Sequence, residues 1–127
     1  METDLTALLN GATGLTARFG SRMHWQVQPD SGVGFPYVNL TTVSQNYANE
    51  LDPAPRARTA RVQFDVWDET ALGAMQARDA VVAFLKTKPV QGVIQGVRPV
   101  SARPLRGKSK PAVFGWAIDV AVRGEWA

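Results

Sequence analysis

The residues that could perform catalysis or bind a metal are few, and their spacing does not build a reactive site. His24 is the single histidine, and the chain contains no cysteine. A zinc site needs three or four ligands, most often histidine or cysteine, so His24 has no partners with which to form one. A Ser-His-Asp triad would depend on the same histidine, and no serine lies at a strand-to-helix elbow. We therefore interpret His24 as a core or edge residue and predict no metal site.

Carboxylates offer another route to catalysis, and Asp65, Asp68 and Glu69 form a cluster in the sequence. An acid/base pair requires two carboxylates that face the same substrate. We expect Asp68 to cap the N-terminus of a helix, and Asp65 and Glu69 to lie on different elements, which argues against such a pair. Gly32 and Gly34 lie in a turn-rich stretch that lacks the lysine and the helix of a phosphate-binding loop. The sequence thus predicts no catalytic residue and no cofactor, and a binding or assembly protein instead of an enzyme.

The main framework for these side chains is a strand followed directly by a helix, within residues 58–85. The strand alternates with a period of two, which is typical of a strand with one buried face. Its apolar side consists of Ala60, Val62, Phe64 and Val66, and its polar side of Arg61, Gln63, Asp65 and Trp67. The helix carries an apolar stripe at i, i+3, i+4 spacing and is expected to end near Lys86, because Pro89 cannot lie inside it.

The remaining elements follow from the same kinds of pattern. A short helix is predicted at residues 4–10, with Thr3 or Asp4 as its N-cap, and a second helical turn at residues 15–19. Strands are predicted at residues 23–27, 37–44, 93–102 and 113–122. Gly96 and Pro99 indicate that the fourth strand is an edge strand or carries a bulge. The order α-β-β-β-α-β-β predicts a single α+β domain over residues 1–127, with an antiparallel or mixed sheet of four to five strands and helices packed on one face.

The composition is that of a folded protein. The chain has 127 residues, of which 45% are hydrophobic and 20% charged, enough to bury a core. The absence of cysteine suits a reducing cytoplasm. The first residues lack the basic and apolar regions of a signal peptide, and no apolar run is long enough to span a bilayer. We expect a soluble protein without a membrane partner, which stays inside the cell that makes it until lysis, and mobile polar loops at residues 45–57 and 104–111.

The basic residues raise the question of nucleic-acid binding. The net charge is +3, and Arg103, Arg106, Lys108 and Lys110 fall within the acid-free stretch of residues 98–110. A basic cluster of this kind is one sign of a nucleic-acid surface. No aromatic residue interleaves with it to stack on bases, however, so a solvated hairpin tip is the interpretation that we favour.

Two further features indicate contacts with other proteins. Arg78 falls within the apolar stripe of the main helix, where its side chain either snorkels to water or pairs with a carboxylate of a neighbouring subunit. The outward face of the last strand combines Gly115, Ala117 and Ala121 with two charged residues, and small side chains let another backbone come close. An ordinary exposed face is the alternative there. The candidate residues for an interface with subunits or partners are Arg61, Asp65, Arg78, Asp119, Arg123, Arg103, Arg106, Lys108 and Lys110.

The chain as a whole resembles the tail terminators, also called tail-completion proteins, of long-tailed bacteriophages and gene transfer agents. The resemblance rests on the order and length of the elements. The matching segments are ALLNGATGLTARFGSRMHWQVQP, FPYVNLTTVS, NYANELDPAPRA, RVQFDVWDETALGAMQARDAVVAFL, GVIQGVRPVSARPL and GWAIDVAVRGEW.

This resemblance implies a virion protein without catalytic residues that assembles as a ring, usually of six subunits. Such a ring caps the finished tail tube, ends its polymerisation and presents a surface for joining the head. It implies as partners the protein itself, the tail tube protein and a head–tail connector protein, with DNA passing through the opening without sequence-specific contacts. It also implies assembly in the cytoplasm of a bacterial host, and then a place at the head-proximal end of the tail. A head–tail connector or neck protein, a small basic nucleic-acid-binding protein and an enzyme with an unrecognised site are the alternatives.

Overall fold

The structure is a computed structural model that describes residues 1–25, 34–45, 56–105, 107 and 112–126. Within these residues it contains three helices and five strands. The helices are α1 (Glu2–Asn10), α2 (Thr13–Phe19) and α3 (Ala71–Leu85). The strands are β1 (Met23–Trp25), β2 (Tyr37–Gln45), β3 (Arg56–Asp68), β4 (Ile94–Leu105) and β5 (Phe114–Trp126). The elements follow one another in the predicted order, and the second helical turn is extended by two residues to give α2.

The strands form one mixed sheet in the order β1-β2-β3-β5-β4. β1 runs parallel to β2, and the other neighbouring strands are antiparallel. β4 lies at an edge, and its register shifts between Ile94 and Gly96 and again between Pro99 and Ser101. Glycine and proline are tolerated there because an edge strand has backbone groups that no neighbouring strand requires. The α+β class is confirmed, and β4 is both an edge strand and bulged.

One face of the sheet packs against the helices and encloses a hydrophobic core. Phe64 on β3 lies in register with Leu40 on β2 and Ile118 on β5, so the three side chains are neighbours on that face. All three are buried. The helices contribute Leu5, Leu8, Leu9, Leu15, Phe19, Ala77, Val81 and Leu85 to the same core. Removal of this apolar surface from water is the main favourable contribution to folding, and it holds the helices on one face as predicted.

The N-terminus of α3 differs from the prediction. Thr70, not Asp68, is the N-cap, and its hydroxyl accepts a hydrogen bond of 2.9 Å from the amide of Gly73. Asp68 still belongs to β3, where it pairs with Phe114, so it lies too early in the chain to cap the helix. Its carboxylate accepts a hydrogen bond from the amide of Glu69 instead. The helix ends at Leu85, next to the expected Lys86.

The caps predicted for α1 are also wrong, because the helix begins at Glu2 with Met1 as its N-cap and without a side-chain cap. The two acidic residues of α1 instead accept hydrogen bonds from residues that are distant in the sequence. The Asp4 carboxylate accepts a hydrogen bond of 3.0 Å from the amide of Val93, just before β4. The Glu2 carboxylate accepts hydrogen bonds from Thr42 and from the last residue of β2. Among the described residues, no helix is long and apolar enough to cross a membrane.

Several strands are longer than their hydrophobic patterns indicated. β3 begins at Arg56, which pairs with Trp126, and β4 continues to Leu105, which pairs with Gly115. Backbone ladders need no apolar alternation, so pairing extends past the buried part of each strand. The predicted boundaries of the mobile loops are therefore wrong at residues 45, 56–57 and 104–105, which lie in strands. Residues 46–55, 106 and 108–111 of these loops, and residues 26–27 of the first predicted strand, fall outside the described residues.

Candidate functional site

The sheet face opposite the helices holds most of the predicted interface residues that the structure describes. We call it the open face, and it is formed by alternate residues of β2, β3, β5 and β4. The register places Gln63 between Thr41 and Asp119, and Asp65 between Asn39 and Ala117. On the edge strand, Ser101 pairs with Asp119, and Arg103 pairs with Ala117. Since neighbouring residues of antiparallel strands point to the same side, these side chains share one surface.

Five side chains of the open face form a connected set, which we call the polar belt: Gln63, Asp65, Ser101, Arg103 and Asp119. Gln63 donates a hydrogen bond of 2.8 Å to the Asp65 carboxylate and accepts one of 3.3 Å from Arg103. Ser101 donates to the Asp119 carboxylate at 3.2 Å, and the Arg103 guanidinium lies 3.5 Å from the same oxygen. The belt thus crosses three adjacent strands and presents two carboxylates and one guanidinium on the open face.

The small residues of β5 do not form the exposed contact surface that the sequence suggested. Ala117 is 0% exposed and Ala121 is 8% exposed. A Cβ atom placed on Gly115 would lie 2.5 Å from the Trp67 ring, so the indole occupies this space. At Gly115 the absence of a side chain makes room for the indole ring of Trp67. A partner would therefore contact charged groups and Trp67 on this face, and not the β5 backbone.

Asp65 is a half-buried carboxylate whose pKa lies above the usual value for aspartate. Burial is the main cause, since it disfavours the charged form. The hydrogen bond from Gln63 and the charge of Arg103 lower the pKa, and the charge of Asp119 raises it. The folded protein consequently holds a proton on Asp65 more tightly than the unfolded chain does.

We expect Asp65→Asn to stabilise the isolated protein at neutral pH. Because the folded-state pKa of Asp65 is raised, the unfavourable ionisation reduces stability as pH rises from about 4 through that pKa. The amide is not ionised and can still accept the hydrogen bond from Gln63. Urea unfolding at several pH values should show that the advantage of the variant disappears as the pH falls below about 4. Glu69→Gln, at an exposed position, is the control; an Asp65→Asn protein that is less stable than wild type at pH 7 would contradict the assignment.

Arg78 on α3 makes contacts within its own subunit. Its guanidinium carbon lies 4.2 Å from the centre of the Trp116 ring, a cation–π contact. Its Nε atom donates a hydrogen bond of 2.9 Å to Asp79. The side chain is only 23% exposed, so its stem is packed while its charged head reaches the surface. A bridge from Arg78 to another subunit stays a prediction.

Replacing Arg78 by alanine is expected to lower the free energy of unfolding by about 0.5–2 kcal/mol, through loss of the contact with Trp116. Asp79→Ala, which removes only the exposed ion pair, should cost less than about 1 kcal/mol. Urea denaturation measures both changes. Sedimentation of the same proteins under conditions of assembly tests the second role: a loss of assembly with Arg78→Ala but not with Asp79→Ala supports an inter-subunit bridge, and equal assembly rejects it.

The other predicted interface residues fall into two groups. Arg61 and Arg123 lie on β3 and β5 with exposed side chains. Arg106, Lys108 and Lys110 lie outside the described residues. His24 is in β1, in register with Asn39. Among the residues that the structure describes, no group of three or more histidine, aspartate or glutamate side chains is arranged to hold a metal ion.

A concave pocket of about 410 Å³ lies beside the first bulge of β4, and sequence reasoning did not find it. We call it the basic pocket, because Lys88, Arg98 and Arg123 line it together with the small or polar residues Thr59, Gly96 and Ala121. Its cations come from the turn after α3, from β4 and from β5. The sequence offered one signal, the acid-free stretch that begins at Arg98. It does not show that the turn after α3 comes back to this stretch, or that Gly96 pairs with Arg123.

The comparisons with known proteins agree with the features of the fold. A chain of the virion of the native gene transfer agent (GTA) particle has the same fold, with a TM-score of 0.65 over 98% of this chain and 94% of that chain. At 18% identity this likeness concerns the fold alone. The comparison with curated proteins gives no significant match. The class is thus that of an α+β protein with a five-stranded mixed sheet and helices packed on one face.

The family follows from the sequence match. The family model of tail completion protein gp17 matches residues 3–124, which is nearly the whole chain. The protein therefore belongs to the tail completion protein gp17 family, and it is a structural tail protein of the phage type. This confirms the resemblance found in the sequence.

Proposed function

We propose that the protein assembles as a closed ring of six copies on the head-proximal end of a tail tube. There the ring ends polymerisation of the tube and presents the surface to which the head is joined. The proposal rests on membership in the tail completion family together with one structural observation. That observation is the polar belt, a charged set of side chains on a sheet face that the helices leave open. In this proposal the protein acts by assembly and not by catalysis.

A closed ring requires two different surfaces on each subunit, since every copy contacts its neighbours head to tail. The open face with Asp119 and Arg123 is our candidate for the first surface. The surface of α3 around Arg78 is the candidate for the second, because it lies on the other side of the sheet and carries a cation that carboxylates of the open face could approach. Contacts between two such opposite sides repeat in one direction, as ring closure demands.

The partners follow from the position of the ring. One side of it would contact the tail tube protein, and the other side a head–tail connector protein. DNA would pass through the opening without base-specific contacts, because a channel for all sequences gains nothing from reading them. The ring would form in the cytoplasm of a bacterial host and remain in the tail of the particle.

Electron microscopy of the purified protein, with and without tail tubes, tests this function. We expect closed rings, at least on tube ends, and tubes that no longer elongate once the protein has been added. Immunogold labelling of finished particles should mark the head-proximal end of the tail. A monomer or a two-fold dimer at the tube end would overturn the ring, and tubes that keep growing in the presence of bound protein would overturn the capping role.

A further inference from the structure

Within the described residues, the cations of the basic pocket have no acidic partner. No Asp or Glu side chain lines it, and neither Arg98, Arg123 nor the Lys88 side chain has a hydrogen bond or ion pair among the described parts of the chain. Arg78 and Arg103, in contrast, each have a carboxylate partner. Like charges that share a concave surface repel one another and focus a positive potential into it. The described part of the pocket is therefore suited to an anionic group.

The geometry points to an acidic segment of a partner protein as the occupant of the basic pocket. Arginine binds carboxylates through paired hydrogen bonds, and two arginines can hold one or two such groups. The residues between the cations are small or polar, so an extended chain has room to approach. A volume of about 410 Å³ is in the range of pockets that enclose small ligands or a few side chains. The inference is tested on the isolated subunit, because Arg123 belongs both to this pocket and to the surface proposed for ring contacts.

Nucleic acid fits the basic pocket less well. A DNA duplex is bound by cations spread along many phosphates, whereas these cations converge on one cavity. Single strands are held by aromatic side chains that stack on bases, and none of the described residues that line this pocket is aromatic.

The backbone at Lys88 gives an independent reason to regard the pocket as a binding site. Lys88 has a φ of 57°, in the left-handed region that glycine and asparagine adopt at lower cost. Its amide closes the turn after α3 by donating to the carbonyl of Leu85. A lysine is thus present at a position where glycine would be less strained, and its side chain lines the pocket. Unfavourable backbone conformations of this kind concentrate at binding sites.

Fluorescence anisotropy with a labelled polyglutamate peptide tests the inference. The double variant Arg98→Gln/Arg123→Gln should bind the peptide at least about tenfold more weakly than wild type, because two charge-assisted contacts are removed. The double variant Arg18→Gln/Lys86→Gln loses the same net charge away from the pocket, and its affinity should change by less than about twofold. A polyglutamine peptide of the same length should not bind. Circular dichroism verifies that both variants are folded.

If the variant Arg98→Gln/Arg123→Gln is unstable, Lys88→Gly provides a second test of the pocket. This variant removes one cation and relieves the backbone, so it should weaken peptide binding without lowering the melting temperature. The inference is overturned if wild type does not bind the acidic peptide at low salt, or if both double variants lose the same affinity. It is also overturned if a short DNA duplex binds more tightly and loses that affinity with Arg98→Gln/Arg123→Gln, since the pocket would then belong to nucleic acid.

Discussion

Phe64→Ala should lower the free energy of unfolding by about 3–5 kcal/mol. Phe64 lies in the middle of β3, a strand with neighbours on both sides, and it is 1% exposed. Its ring fills the core beside Leu40 and Ile118, and the helices close this face, so the space left by alanine cannot easily collapse. A domain of this kind is stable by about 5–15 kcal/mol in total, so the variant would be marginally folded. Urea denaturation followed by circular dichroism measures the change.

The chain offers a matched control for this substitution. Phe114→Ala removes the same atoms from the first position of β5, where the side chain is 41% exposed. We expect a loss of about 1 kcal/mol or less there, because part of that ring is already in water. Phe64→Leu, which keeps most of the volume, should cost less than Phe64→Ala. Equal losses for the two alanine variants would mean that the core does not lie on the helix side of the sheet.

The part of the fold that could be predicted is the part that local patterns determine. The alternation of Val62, Phe64 and Val66 identifies the buried face of β3 without knowledge of its neighbours, since side chains of a strand point to opposite sides in turn. Gly96 and Pro99 similarly indicated an edge strand, because glycine weakens the interior of a strand and proline cannot donate a hydrogen bond to a neighbouring strand. These inferences needed only a few consecutive residues.

The features that could not be predicted depend on contacts between distant residues. Thr70 and Asp68 are both good N-cap residues, and only the length of the β3–β5 ladder decides between them. Asp4 is of a residue type that is favoured at an N-cap, but its carboxylate instead accepts a hydrogen bond from the amide of Val93. The basic pocket requires that the turn after α3, β4 and β5 meet. The alternation of β5 also does not indicate that Trp67 covers Gly115 or that Ala117 is buried. The spacing of residues along the chain does not indicate which distant residues come into contact.

If the protein forms the proposed ring through the polar belt, reversing the charge of Arg103 should abolish this assembly while it leaves the fold nearly intact. Arg103 is the cation of the polar belt, and its side chain is 54% exposed, so its ion pair with Asp119 contributes little to stability. Arg103→Glu would place a third carboxylate beside those of Asp65 and Asp119 and remove the positive charge that a partner meets. Loss of a complementary charge pair at an interface costs about 2–5 kcal/mol, which corresponds to a decrease in affinity of at least about thirtyfold. Sedimentation and electron microscopy of assemblies on tail tubes measure this decrease, with Lys86→Glu as a control of equal charge change outside the belt.

A charge swap separates the two ways in which the polar belt could act. In the variant Arg103→Glu/Asp119→Arg, one carboxylate and one guanidinium again face each other across β4 and β5, so the ion pair within the subunit is restored. The pattern presented to a partner is reversed, however, because the positive and negative ends have exchanged strands. We expect the swapped protein to unfold at nearly the same urea concentration as wild type, because the hydrogen bonds that Ser101 and Gln63 lose are exposed, and still to fail in assembly. Recovery of rings in the swapped protein would show that assembly does not depend on which strand carries each charge, and the interface would then have to lie elsewhere on the molecule.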